Sequence, residues 1–120
     1  MYDGDVVVFT IEGNPSSEMC DALFIAPVDS LIARGVPFSL ILNGAGISNV
    51  SITASLRIIK WMHRNRKQIK KYLRATAVLL QGRSVKAAIN FVFSVQPPVA
   101  PMQFVDSMSA GWDFVSQHQS

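Results

Sequence analysis

DVVVFTIE at residues 5–12 and PFSLILN at 37–43 are unbroken apolar and β-branched runs, whereas the segments around them repeat apolar residues every three or four positions. Unbroken runs of strand length predict strands buried on both faces, and the longer period predicts the helices that bury them. ATAVLL (75–80) reads as a third strand and MQFV (102–105) as a short fourth.

The punctuation between these runs supports the same division. Gly13-Asn14-Pro15 ends the first strand, and Ser16 or Ser17 caps a helix with Glu18 in its first turn. Its apolar positions are Met19, Leu23, Phe24, Ile25, Val28, Leu31 and Ile32. Pro27 must kink this helix or restart it, and Gly35 stops it one residue past Arg34. A long helix is predicted over 52–73 and an apolar one over 84–95. Pro97 to Pro101 form an extended connector, and Asp106 or Ser107 caps a last helix ending near Ser116. The order β-α-β-α-β-α-β-α predicts an α/β fold: one domain over residues 1–120, with a largely parallel four-stranded sheet covered by helices and joined by right-handed crossovers. The tail, 117–120, is expected to fray.

On a wheel of 100° per residue, Arg57, Lys60, Arg64, Lys67 and Lys71 share one stripe about 80° wide. The opposite side, with Ile52, Leu56, Ile59, Met62, Ile69 and Leu73, is the predicted core side, interrupted by Ser55 and Arg66. Trp61 falls beside Arg57 and Arg64, as a cation-π neighbour, an interface anchor or a residue packed under a loop. In SVKAAINFVFSV (84–95) only Lys86, Asn90 and Ser94 make a polar stripe, which is too much apolar surface for one sheet face to cover. Phe91, Phe93 and Val95 are therefore candidates for a dimer contact, a lipid-facing patch or a pocket wall.

Composition sharpens the charge pattern. At 49% apolar and 16% charged, the chain has enough hydrophobic material for a core and little polar surface to spare. The net charge of +3 hides a segregation: residues 1–29 carry six acids (Asp3, Asp5, Glu12, Glu18, Asp21, Asp29) and no base, and residues 30–105 carry all eleven bases and no acid. Six of those bases, with His63, lie in WMHRNRKQIKKYLR (61–74). Such a stripe is either a solvated face answered by the acidic segment or a surface for an anionic partner, ranked as protein, then lipid, then nucleic acid. Nucleic acid ranks last because no helix-turn-helix, RNP, GXXG or zinc motif is present.

Catalytic chemistry is sparse. The Gly-x-Gly of NGAGISNVS leads into a helix, but it lacks the third glycine of a dinucleotide fingerprint and the Gly-Lys-Ser/Thr of a P-loop. His63 sits at the edge of the core stripe, His118 in the tail, and the carboxylates form no pair. Cys20, the lone cysteine, allows no internal disulfide and reads as a buried small hydrophobe. A non-enzymatic protein without cofactor or metal is expected. With no apolar run of membrane-spanning length and no signal peptide, the expected setting is soluble and cytoplasmic.

The long basic helix, ATAVLL, SVKAAINFVFSV, PPVAPMQFV and DSMSAGWDF together resemble the STAS domain family, the sulfate transporter and anti-sigma factor antagonist fold, over about residues 57–116. The resemblance implies a regulatory module that binds protein partners, switched in some members by phosphorylation where the helix after a central strand begins. Ser51-Ile52-Thr53-Ala54 corresponds to the family's Asp-Ser-Ser-Gly motif and puts Thr53 at the acceptor position. The aspartate and glycine are not matched, so a module without that switch is expected, self-associating through apolar helix surface. Related folds with an apolar cavity, similar to CRAL-TRIO lipid carriers, make binding of a lipid or an anionic membrane surface the second expectation.

Overall fold

Each unbroken apolar run forms its strand: β1 (Asp5–Thr10), β2 (Phe38–Gly44), β3 (Leu73–Leu80) and β4 (Met102–Val105). The structure, a computed structural model, describes residues 5–118, so Asp3 and the tail beyond His118 lie outside the described residues. The strands stand in chain order, β1-β2-β3-β4, and every neighbouring pair is parallel. Since each connection steps in the same direction, right-handed crossovers put all the connecting helices on one face of the sheet.

The helices are α1 (Ser17–Cys20), a π-helical turn (Asp21–Ile25), α2 (Ala26–Ala33), α3 (Ile52–Tyr72), α4 (Arg83–Val95) and α5 (Met108–Ser116). Ser16, Ser51 and Ser107 cap α1, α3 and α5 by accepting hydrogen bonds from the amides of Met19, Ala54 and Ala110. Of the two expected outcomes, a kink or a restart, the second holds: Pro27 falls in the first turn of α2, where an α-helical segment restarts after the π-helical turn. The Ala26 amide donates to the Asp21 carbonyl, five residues back, and this widened turn sits just ahead of the proline ring. The backbone stays in the right-handed helical region through Cys20, Asp21, Ile25 and Ala26, so residues 17–33 run on as one helix. Gly35 ends it as predicted, at φ +72°, a conformation that favours glycine. At the far end of α3, Leu73 is already extended (φ −79°, ψ 122°) and pairs with Phe38, so the helix passes directly into β3 and Leu73 belongs to the sheet, not to the helix as predicted.

Alternate strand residues feed two cores. Phe38 and Leu40 pack with Ile25, Val28, Trp61, Met62, Ile69 and Val92 under the connecting helices. Ile41, Ala75, Ala77, Leu79 and Val105 face the other way and meet Phe114 and Val115 of α5, which follows the last strand. The sheet offers α5 the small side chains of Ala75 and Ala77, and Gly111 makes a close approach possible. A Cβ at Gly111 would stand 3.4 Å from Ile41 Cγ2 and 3.5 Å from Ala77 Cβ. The α5 layer is thus packed closely on the sheet, and the remaining helical segments cover the other face.

Candidate functional site

Trp61 sets the orientation of α3. The indole is buried (6% exposed), its Nε1–H donates to the Asp29 carboxylate at 2.9 Å, and its ring meets Phe24 edge-on at 5.7 Å between centroids. Trp61 is therefore a core anchor and not part of the cationic surface on which the wheel placed it. With Trp61 turned inward, Ala54, Ser55, Met62 and Ile69 become the buried face. Ile52 and Leu56, predicted as core, are 74% and 52% exposed. Length supplies a second reason: the 21 residues of α3 span about 32 Å, and the seven of β2 only about 23 Å, so an end of the helix must overhang the sheet.

The basic stripe survives this rotation with one change. Lys60, Arg64, Lys67 and Lys71 are exposed. Arg57 is half-buried, and its Nε lies 2.9 Å from Asp21 Oδ1, as an ion pair without the alignment of a hydrogen bond. Asp5 pairs with Arg34 instead. Among the described residues, the acidic segment answers only Arg57 of the predicted stripe.

Between the helix-side face of the sheet and the helices lies an apolar cavity of about 150 Å³. Its wall runs from Ile11 and Ile47, beyond the carboxyl ends of β1 and β2, to Phe38 and Met102 at the amino ends of β2 and β4. From the helices come Cys20, Ala54, Ile58, Ile89, Val92 and Phe93, and the Pro98–Ala100 connector closes one flank. Among the described residues, no charged side chain lines it. Of the polar ones, Ser55 donates its hydroxyl to the Ser51 carbonyl and Trp61 donates outward to Asp29, which leaves Thr76 and the Cys20 thiol. Sequence reasoning reached one wall of this cavity, the over-wide apolar face of α4, but not the space itself. The missed signal is the set of smaller residues, Ala54, Val50 and Ala100, that line the same space.

The predicted apolar trio on α4 divides accordingly. Phe93 turns inward and lines the cavity, the pocket wall among the three expected roles, and so leaves the candidate interface, whereas Phe91 (47% exposed) and Val95 (54%) stand outward one turn apart. Thr53 is exposed in the first turn of α3. The two glycines ahead of α3, Gly44 at the end of β2 and Gly46 in the loop, serve packing: a Cβ at Gly44 would come within 2.8 Å of Ile47 and Leu80, and one at Gly46 within 2.9 Å of Glu12. An acidic side chain against Gly46 gives an anion no welcome there.

Among solved structures, a crystal structure of an uncharacterised DUF3478-family protein from Shewanella loihica PV-4, with a SpoIIAA-like fold, aligns over 89% of this chain and 80% of its own at a TM-score of 0.54. The present fold is SpoIIAA-like. At 16% identity the SpoIIAA-like relationship carries the architecture alone, and that architecture agrees with the STAS resemblance of residues 57–116. No family model and no curated protein matches the chain. No helix among the described residues of this SpoIIAA-like chain is long and apolar enough to cross a membrane.

Burial, and secondarily the charge of Asp21, push the Cys20 thiol up from its usual range. A raised thiol pKa favours the folded state fully below the unfolded value of about 8.5, and that contribution disappears as pH rises through the folded value. Cys20 should therefore react with a disulfide reagent at pH 8 at least about tenfold more slowly in the native protein than in urea. Equal rates would mean that the thiol does not lie in a closed wall.

Proposed function

We propose that this protein is a non-enzymatic binding module that encloses a neutral apolar ligand, an alkyl chain or a molecule of similar width, between its sheet and helices. The cavity carries this reading. Left unfilled, a partly open apolar space of about 150 Å³ costs at most about 3 to 4 kcal/mol, the figure for a fully closed void, against the 5 to 15 kcal/mol by which domains are stable. Natural interiors rarely keep a space of that size. A ligand removes the cost by restoring the missing contacts, and an apolar void of this volume admits a benzene-sized molecule. Because the wall extends between the two ends of the strands and carries no charge, the best fit is elongated and uncharged where enclosed. Its two free polar groups, Thr76 and Cys20, are too few for the convergent acid, base and nucleophile that catalysis needs.

Titration with benzene, followed through the methyl resonances of Ile58 and Val92, tests the reading. Binding is expected to be saturable, and Ala54→Leu, which adds three carbons to a residue on the wall, should weaken it at least about tenfold while raising stability by roughly 1 kcal/mol. If benzene leaves those resonances unmoved, the ligand reading fails.

A second reading, a regulatory module that binds a protein partner, has one observation in its favour: the outward pair Phe91 and Val95. The nearest such partner is a second copy. Light scattering should then give a dimer for the wild type and a monomer for Phe91→Lys; a monomeric wild type removes self-association.

A further inference from the structure

The outward side of α3 joins two features that the cavity does not explain. Lys60, Arg64, Lys67 and Lys71 form an exposed row of cations about 17 Å long, and Ile52 and Leu56 flank its line at the amino end, Ile52 being the most exposed large apolar residue described. Of the acids on the helical segments packed against α3, Asp21 pairs with Arg57, Asp29 accepts from Trp61, and Glu18 in the first turn of α1 makes no ion pair with the row. Lys71 Nζ stands 5.3 Å from the centre of the Tyr72 ring, and none of the four cations makes an ion pair among the described residues.

A convex helix with a straight row of cations suits a flat array of many like anions, and apolar side chains beside that row suit a surface with hydrocarbon beneath its charges. We infer that the outward side of α3 docks on an anionic lipid bilayer, with Lys60, Arg64, Lys67 and Lys71 on the headgroups and Ile52 and Leu56 between them. The docking stands on its own observations. Only the corollary, that the bilayer supplies or receives the enclosed apolar ligand, rests on the cavity reading.

Sedimentation with phosphatidylcholine vesicles, with and without about one third phosphatidylglycerol, tests the inference in about 50 mM and roughly 0.5 M NaCl. The wild type should partition at least about tenfold more strongly onto the anionic vesicles at low salt, and lose that preference at high salt. Lys60→Glu/Arg64→Glu/Lys67→Glu should lower the partitioning about a hundredfold, and Ile52→Ser/Leu56→Ser about tenfold, with circular dichroism confirming that both variants fold. A wild type that ignores these vesicles, or a triple variant that binds as before, overturns the inference. Capture of that same wild type by polyglutamate would then give the row to an acidic protein. Benzene binding by the same samples keeps the two readings apart, because docking lost with benzene binding intact overturns docking alone.

Discussion

The hydrogen bond from the Trp61 indole to Asp29, backed by the edge-on contact with Phe24, fixes how α3 is turned, and both sides of the molecule's functional geometry follow from that turn. An indole has one donor, and leaving it unpaired on burial costs about 1 to 3 kcal/mol, so the side chain enters the core where Asp29 can meet it. That rotation brings Ala54 and Ser55 inward, where their small side chains leave room beneath the helix, and swings Ile52 and Leu56 out into line with the cations.

The sheet is packed asymmetrically as a result. On one face Gly111, Ala75 and Ala77 let α5 lie close to the strands. On the other, Trp61, Phe24 and Phe38 are large and Ala54, Val50 and Ala100 are small, so the helices are held off the strands between widely placed supports. A layer built only for stability would repack to fill that gap, since the hydrophobic and dispersion terms both favour doing so. The retained space is the physical basis for assigning a ligand.

Much of the fold was legible because the strands are unbroken apolar runs and the caps are explicit: Ser16, Ser107 and Gly35 mark the ends where propensity and hydrogen bonding agree. The exposed cations were equally legible, since a charge has only one comfortable side. The core face of α3 was legible only in part: Met62 and Ile69 are buried as the wheel places them, but Ile52 and Leu56 are not. A wheel weighs Ile52 and Leu56 by hydrophobicity alone and knows neither that the helix outruns the sheet nor that Trp61 has a partner in Asp29, a residue 32 positions away. The cavity was hidden for a related reason: empty space depends on how far apart helices are held, and no local pattern records a distance. At Pro27, the sequence marked a break in hydrogen bonding, but only the chain's continuation shows that a π-helical turn absorbs it.

The claim on which the rest turns is that a dry space lies between the sheet and α3 and α4. Crystals of the protein pressurised with xenon would show this most directly, because xenon collects in apolar voids and not in packed cores. The account predicts xenon density among Ala54, Ile58, Val78 and Val92, at or near full occupancy. Side chains meeting across that space, with no xenon between them, would contradict it.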